Sequence, residues 1–252
     1  MRKTGSKKYS YLFCWSACVI FLFFPLNARA QAVVTREQDG VQIQSDADVL
    51  RLIVCGPNVI HVVAAPLGGK VTVTQPPWIS QPCRSSEFSV KQVEQEAVLE
   101  TSGLVIRIFL VNGRLSIADS KGAILVNEFE QNPRHYERGN GDNTYRVTDN
   151  FRPAEDEAFY GFGQHQSGIF NNRGTSATLA QKNTDFAIPF FLSTTGYGIL
   201  WNSASVSAFD NRFPTELKLT AEWPLVASEK DSRELSIRRG CWYTLPAFRH
   251  YV

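Results

Sequence analysis

The sequence predicts an all-β protein folded as an antiparallel β-sandwich, and two observations carry this prediction. Short segments alternate apolar and polar residues with a period of two, and turn residues separate them about every 8–12 positions. No segment before residue 229 keeps an apolar period of 3.6 residues over three helical turns, and the strand–helix rhythm of an α/β fold is missing. Many short strands joined by turns are typical of a sandwich.

Residues 1–30 are predicted to be a cleaved signal peptide. Four basic residues precede the apolar run Tyr11–Leu26, and Ala28-Arg29-Ala30 places small residues where a signal peptidase reads them. A membrane anchor is the alternative, but the apolar run is shorter than the ~20 residues of a spanning helix, and Pro25 interrupts its end. We therefore expect a periplasmic or extracellular protein that has no membrane attachment after cleavage.

The charge of the mature chain argues against a nucleic-acid partner. The leader holds five of the 26 basic residues and no acidic residue, which leaves 21 basic against 24 acidic residues and a formal charge of −3. Proteins that bind nucleic acids present a basic face. The composition therefore gives no reason to expect such a partner.

The first predicted strands after the leader lie at 41–44 (VQIQ), 49–56 (VLRLIVCG) and 58–66 (NVIHVVAAP). Gly56-Pro57-Asn58 separates the last two and predicts a hairpin turn. A further alternating segment, 70–78 (KVTVTQPPW), ends at two prolines, which cannot donate hydrogen bonds within a sheet.

Residues 87–129 offer four or five more strands. Asn112-Gly113 is a hairpin signal, and Asp119–Gly122 marks the next reversal. The segment Glu137–Arg146 (ERGNGDNTYR) is the richest in loop residues and is predicted to be a loop. Because no repeat or low-complexity linker divides the chain, we expect one domain over 31–228, followed by a divergent tail over 229–252.

The cysteines give no sign of a metal site or cofactor. Cys55, Cys83 and Cys241 remain after cleavage, with no C-x-x-C pair and no histidine nearby. One disulfide in an oxidising compartment and buried free thiols are both compatible with three cysteines.

The stretch Phe159–Gly168 (FYGFGQHQSG) combines glycines, aromatic residues and amides. A dinucleotide-binding fingerprint is excluded because Gln166 stands where the third glycine belongs and no helix follows. Gly161 and Gly163 are predicted instead to permit a close backbone approach or a bulge in a strand. The aromatic residues of the region are predicted mostly to fill the core, with a minority able to stack on a sugar; they are Phe151, Phe159, Tyr160, Phe162, Phe170, Phe186, Phe190, Phe191, Tyr197 and Trp201.

Candidate acid–base groups are few. His165 has either a structural role or a role as an acid–base or sugar-binding group, whereas His61 and His135 lie in no motif. Glu155-Asp156-Glu157 is a carboxylate run, and glycosidases use a pair of carboxylates. Adjacent residues on a strand point to opposite faces, so this run is predicted to be a solvated turn.

The same region resembles the N-terminal β-sandwich of glycoside hydrolase family 31, the α-glucosidases and α-xylosidases. The similarity covers roughly residues 40–228, and the upstream hairpins are similar to the first strands of that family. The motifs that carry it are Tyr160-Gly161-Phe162-Gly163-Gln164, Asn172-Arg173-Gly174, Ile188-Pro189-Phe190 and Gly196-Tyr197-Gly198-Ile199-Leu200-Trp201. The resemblance implies a galactose-mutarotase-like supersandwich.

The resemblance also implies a role in carbohydrate binding. In this family the sandwich packs on a (β/α)8 catalytic barrel and lends a loop to the rim of the substrate pocket. Carried over to this sequence, the loop holds Asn172 and Arg173, which would donate hydrogen bonds to sugar hydroxyls, with His165 as a weaker candidate. Many relatives have Asp at Gly174 and Glu at Gln164, so the resemblance implies no acidic contact from this loop.

The resemblance assigns catalysis to the barrel, which needs about 250 residues of its own. The nucleophile of the family lies in a W-x-D-M motif, and the only methionine here is Met1. The chain is therefore expected to be an inactive fragment whose tail begins the linker to a barrel absent from this sequence. The intact relative would hydrolyse terminal α-glucosidic or α-xylosidic bonds with retention.

Two alternatives stay open. A free-standing carbohydrate-binding module would present an exposed aromatic platform. A mutarotase-like enzyme would need a histidine and a carboxylate on one sheet face, and His165 is the only histidine that the sequence motifs offer for it.

Overall fold

The computed structural model describes residues 32–69, 71, 83, 85–139, 145–203 and 205–221, and the backbone of 241–245. The predicted leader, all but one residue of the strand predicted at 70–78, and most of the predicted tail lie outside the described residues. Within the described part the chain forms strands and no helix, and every strand pairing is antiparallel. The all-β prediction is confirmed. In the same part, no helix is long and apolar enough to cross a membrane.

The strands form three sheets. The first sheet has the spatial order β1 (Val33–Glu37), β2 (Gly40–Gln44), β3 (Asp48–Gly56), β4 (Val59–Pro66), β18 (Cys241–Leu245), β15 (Gly198–Leu200), β14 (Phe186–Ser193) and β12 (Phe159–Gln164). The second has the order β10 (Arg134–Arg138), β11 (Tyr145–Phe151), β17 (Leu217–Ala221), β16 (Ser207–Asp210) and β13 (Ser176–Leu179). The third is a meander of β5 (Ser89–Val93), β6 (Glu96–Glu100), β7 (Leu104–Phe109), β8 (Leu115–Asp119) and β9 (Ile124–Asn127).

The hairpins form where the turn residues predict them. Gly56 pairs with Val59 across the β3–β4 turn, and five strands lie within 87–129. In the β8–β9 turn the Asp119 carboxylate accepts hydrogen bonds from the backbone N–H groups of Lys121 and Ala123, as Asp does in such turns.

The loop predicted at Glu137–Arg146 is shorter in the structure. β10 continues to Arg138 and β11 begins at Tyr145, and Glu137 pairs with Arg146 across the two strands. The polar residues at these positions lie on the outer face of a sheet, where strands tolerate them, so local polarity predicted too long a loop.

No sequence pattern predicted the strand β18. It lies in the segment that we assigned to the divergent tail, and its backbone pairs with β4 on one side and with β15 on the other. The domain limits drawn from the sequence stay predictions.

The core is apolar and draws on all three sheets, because alternate residues of each strand point inward. Aromatic rings join the first sheet to the second: Phe209 on β16 lies 4.4 Å from Phe162 and 5.7 Å from Phe159, measured between ring centroids. Fully buried side chains from the three sheets include Ile43, Leu50, Leu52, Ile60, Leu99, Ile106, Ile117, Phe159, Phe162, Phe191, Trp201, Phe209 and Leu219. Six of the ten aromatic residues named in the sequence analysis are buried, which confirms their predicted core role.

A buried arginine connects the three sheets. The guanidinium of Arg134 on β10 donates from Nε to Asp48 on β3, at 2.7 Å, and from Nη1 to Glu128, which follows β9. Its Nη2 donates to the carbonyl of Gly113 in the β7–β8 turn, at 2.7 Å. The side chains of Arg134, Asp48 and Glu128 are at most 2% exposed. One guanidinium therefore links strands that are distant in the sequence.

The arginine is surrounded by more carboxyls than it can neutralise. Asp149 on β11 is also buried and hydrogen bonds with Glu128. Burial, and then the negative charge of Glu128, raise the pKa of Asp149 well above its ordinary value. Burial also raises the pKa of Glu128, although Arg134 opposes this. Burial and the neighbouring charge of Glu128 therefore favour the protonated form of Asp149 over its charged form.

A disulfide joins Cys55 at the end of β3 to Cys83, with the Cα atoms 4.5 Å apart. The alternative of buried thiols is thereby excluded for this pair. Cys241 lies on β18, where only the backbone is described. The bridge closes a span of 28 residues, and a loop of that size stabilises a fold by roughly 3.5 kcal/mol by restricting the unfolded chain.

Replacing Arg134 with alanine should lower the free energy of unfolding by about 3–5 kcal/mol, because it leaves buried carboxylates without their partner. Arg107→Ala is the matched control: this arginine pairs with Glu96 at 3.2 Å, but its side chain is 54% exposed. Loss of an exposed pair costs about 0.2–1 kcal/mol. Urea unfolding of the mature chain measures both, and equal losses for the two variants would contradict the bridging role.

Asp149→Asn should become progressively more stable than the native protein as the pH rises. A carboxyl whose pKa is raised by folding contributes stability that is present below about pH 4 and is lost as the pH rises toward its folded-state pKa. An amide cannot ionise, so the variant escapes this loss, which amounts to at most about 1.4 kcal/mol per pH unit.

The measurement is the free energy of unfolding in urea between about pH 4 and pH 8. Asp156→Asn is the control, because that carboxylate is exposed. A difference between Asp149→Asn and the native protein that stays constant over this range would show that Asp149 is already ionised in the fold.

Candidate functional site

The predicted pocket-rim loop follows β12, the edge strand of the first sheet. β12 carries a bulge between Gly161 and Gly163, and Phe162 between them has a positive φ of 68°. Gly163 has φ +93°, and a Cβ there would lie 1.9 Å from the carbonyl oxygen of Phe186 on β14. The predicted role of these glycines in a bulge and a close backbone approach is confirmed. The bulge turns the chain into the loop 165–175.

The loop borders a cavity of about 710 Å³. β12 and β13 form two of its walls, and the segment before β14 forms another. Its lining is mostly polar and consists of Gly161, Gly163, Gln164, His165, Gln166, Ser167, Ile169, Asn172, Ser176, Ala177, Thr178, Lys182, Thr184 and Asp185. Sites for small ligands are typically about 300–1,000 Å³, so the size suits a sugar.

His165 lies in the wall of this cavity and is half-buried. Its Nε2 is 2.9 Å from the carbonyl oxygen of Phe162, which restrains the ring orientation. One ring nitrogen is thus engaged by the backbone of the bulge. The role of His165 in binding sugar stays a prediction.

Asn172 lines the cavity, but its side chain is buried. Its backbone N–H donates to the carbonyl of Phe159 at 2.8 Å, and its Nδ2 donates to the same oxygen at 3.3 Å. The carbonyl of Asn172 accepts from the hydroxyl of Thr175 at 2.9 Å. Asn172 therefore fastens the loop to the start of β12, and its predicted contact with sugar remains untested.

Arg173 is half-buried, and its guanidinium contacts the connection between β11 and β12. Nη1 donates to the carbonyl of Glu157 at 2.7 Å, and Nη2 donates to the carbonyl of Glu155. The side chain is therefore a clamp between the loop and this connection. Its proposed contact with sugar also remains a prediction.

The three carboxylates of the run Glu155-Asp156-Glu157 differ in exposure. Glu155 and Asp156 are exposed, as predicted for a solvated turn. Glu157 is buried instead: its carboxylate accepts from the hydroxyl of Ser193 at 2.5 Å and from the backbone N–H of Ala154 at 2.8 Å. Burial, and then the charge of Glu157, raise the pKa of Tyr197 well above its ordinary value. The prediction was wrong for Glu157, because its hydrogen-bond partner on β14 is distant in the sequence.

A second cavity, of about 530 Å³, lies on the outer face of the second sheet. It brings His135 and Glu137 together with Asp210 and Thr148. His135 lies in no sequence motif, but its spacing from Glu137, two residues along one strand, places both side chains on one face. The choice of His165 as the candidate histidine stays a prediction. Within the described residues, no group of three or more His, Cys, Asp or Glu side chains could hold a metal ion.

An apolar strip covers part of the outer face of the first sheet. On β14, Phe186, Ile188 and Leu192 point outward, and Phe186 is 60% exposed. The strip continues into the loop, where Phe170 is 82% exposed and its ring lies 5.1 Å from that of Tyr160. Exposed apolar side chains that share one face of a sheet make that face a candidate interaction surface.

The sequence of this chain is similar to a known protein family and to several of its members. Residues 49–210 match the family model described as the glycosyl hydrolase 31 N-terminal galactose mutarotase-like domain. An α-xylosidase of Saccharolobus solfataricus is 36% identical over 121 residues, which cover 44% of this chain and 16% of that protein. Alpha-xylosidase A of Aspergillus niger is 24% identical over 138 residues, which cover 51% of this chain and 18% of that protein.

The structural likeness extends further along the chain. A family 31 α-xylosidase from a soil metagenome, crystallised with xylose, superposes with a TM-score of 0.70 at 20% identity, over 86% of this chain and 32% of that chain. A family 31 α-xylosidase from Xanthomonas citri superposes with a TM-score of 0.60 at 29% identity, over 71% of this chain and 19% of that chain. This chain thus spans a third or less of the length of each relative named here.

Proposed function

The chain belongs to glycoside hydrolase family 31 through its N-terminal galactose mutarotase-like domain, and on this premise we propose that it serves as the accessory carbohydrate-binding domain of an α-glycosidase. The family match over 49–210 carries the proposal. The reaction that it serves is hydrolysis of terminal α-linked xylose or glucose, and the relatives named above, which are α-xylosidases, favour xylose.

The exposed apolar strip supports an accessory role. Ile188 and Leu192 stand in it beside Phe186, and aliphatic side chains favour a protein partner over a sugar, which stacks on flat aromatic rings. The partner that we propose is the catalytic portion of a family 31 enzyme. In that arrangement the loop 165–175 lies next to the packed surface, because Phe170 belongs to both the strip and the loop.

The loop is suited to holding polar groups at fixed positions. His165 and Asn172 line the cavity of about 710 Å³, and each is restrained by a hydrogen bond with a backbone carbonyl. The guanidinium of Arg173 holds the loop by donating to the carbonyl of Glu157. Sites on restrained side chains bind with less loss of entropy than sites on mobile loops. We propose that this loop contributes hydrogen bonds to a sugar at the edge of the substrate pocket.

A free-standing carbohydrate-binding module is the second candidate. The exposed Phe170 favours it, since an aromatic platform is the expected binding surface of such a module. The rings of Phe170 and Tyr160 are inclined at 54°, however, so the two do not form one flat surface. The accessory role is the better supported.

We also propose that the protein is exported. The disulfide between Cys55 and Cys83 supports this, because such bonds form and persist in oxidising compartments. Mass spectrometry of the protein expressed in a bacterial host should find the mature chain beginning at Gln31 or, if the triplet Ala30-Gln31-Ala32 is used, at Val33. An intact N-terminus on a cytoplasmic product would contradict export.

Arg173→Ala, in a full-length family 31 enzyme that carries this domain, should lower kcat/KM about ten- to a hundredfold. Loss of hydrogen bonds from a charged donor, made either to sugar or to the carbonyls that position the loop, costs roughly 1.5–3 kcal/mol. The measurement is the hydrolysis of an aryl α-xyloside.

Arg107→Ala is the matched control, because its guanidinium is exposed on the third sheet. The melting temperature of each variant separates unfolding from an effect on the site. If Arg173→Ala kept kcat/KM within twofold of the native value, the proposed role of the loop would be wrong.

A further inference from the structure

The outer face of the second sheet carries a row of side chains that includes three threonines. Strand pairing places His135 opposite Thr148, Thr148 opposite Thr220, Thr220 opposite Ala208, and Ala208 opposite Thr178. The hydroxyls of Thr148 and Thr220 lie 3.2 Å apart. A hydroxyl both donates and accepts, so each of these groups has capacity for a further hydrogen bond.

Longer charged side chains surround this row. Glu137 and Arg146 stand at one end, and Asp210, Arg212 and Lys218 stand at the other. Because short side chains occupy the centre and long ones the border, the face is concave, and it forms the cavity of about 530 Å³. We name the cavity the threonine basin, after Thr148, Thr178 and Thr220.

The charges at the border neutralise one another. Arg146 lies 3.8 Å from Glu137, Arg212 lies 2.6 Å from Asp210, and Lys218 lies 3.0 Å from Glu216. The hydrogen bond from Arg212 lowers the pKa of Asp210, which keeps that carboxylate charged. Each of these three bases has an acidic partner within the described part of the chain, so this part of the border attracts neither anions nor cations strongly. The lining therefore suits a neutral ligand that carries many hydroxyl groups.

The threonine basin adjoins the cavity beside the loop. Ser176, Ala177 and Thr178 on β13 line both cavities, so a single strand separates them. A ligand long enough to cross β13 would contact both. This places the basin where the further units of a chain of sugars would lie if one unit occupied the loop cavity.

We infer that the threonine basin is a second binding surface, which takes a neutral oligosaccharide across β13. The inference rests on the proposed function for the class of ligand, and on the lining of the basin for the site. It adds residues on β10, β11, β16 and β17 to the carbohydrate contacts and predicts that an oligosaccharide binds more tightly than a single xylose.

The test is titration of the mature chain, labelled with 15N, with isomaltotriose and separately with xylose, followed by NMR. We expect saturable binding of the trisaccharide and shifts in the amide signals of β11, β13 and β17. The variant Thr148→Val/Thr220→Val removes both hydroxyls and keeps the shape and the β-branching of the side chains. It should weaken trisaccharide binding about two- to tenfold for each hydrogen bond lost.

Thr35→Val is the matched control, because Thr35 is an exposed threonine on β1 of the first sheet. It should leave the affinity unchanged. Raising the salt concentration from 0.05 to 0.5 M should also leave it unchanged, since the ligand is neutral.

Three results would overturn the inference: no saturation by the trisaccharide, equal affinity of the native chain and the Thr148→Val/Thr220→Val variant, or an affinity that falls steeply with salt. His165→Ala distinguishes this failure from failure of the proposed function. If His165→Ala weakened binding of the trisaccharide and the threonine variant did not, the loop cavity would remain the proposed sugar site and the threonine basin would be excluded as a second one.

Discussion

The ion cluster around Arg134 is the interaction on which the arrangement of the three sheets depends. A guanidinium offers five N–H donors in a fixed plane, so its partners must come to it in fixed directions. Asp48, Glu128 and the carbonyl of Gly113 meet it from different parts of the chain. Burying these charges is costly by itself, and only complete pairing makes it tolerable. The cluster therefore favours one mutual placement of the sheets over others that would bury the same apolar area.

The cluster also fixes which residues of the second sheet face outward. Arg134 and Asp149 point inward on β10 and β11, so their neighbours His135 and Thr148 must point outward. A shift of register by one residue would exchange the two sets and would place the arginine in solvent. The outer row of hydroxyls is thus a consequence of the inner ion pairs, although no atom is shared between them.

Local sequence signals predicted what depends on neighbouring residues. Period-two alternation and turn residues located the hairpins, and Gly161 and Gly163 predicted the bulge in β12. Partners distant in the sequence were not predictable in this way. Glu157 reads as part of an acidic turn until Ser193 is brought to it by the pairing of β12 with β14. The pairing of Cys55 with Cys83 likewise needs the fold, because three cysteines allow three pairings.

The loop 165–175 lies where two unlike surfaces meet, and this explains its internal hydrogen bonding. On one side Phe170 joins the apolar strip of β14, and on the other the loop cavity shares β13 with the threonine basin. An apolar strip is stable in water only when another surface covers it, whereas a basin of hydroxyls needs no cover. If the proposed contacts with a protein and with a sugar form on its two sides, the loop must keep its shape when either one forms. Asn172 and Arg173 hold the loop by donating to backbone carbonyls, so we expect a mutation at either residue to change the position of the loop and thereby both proposed contacts.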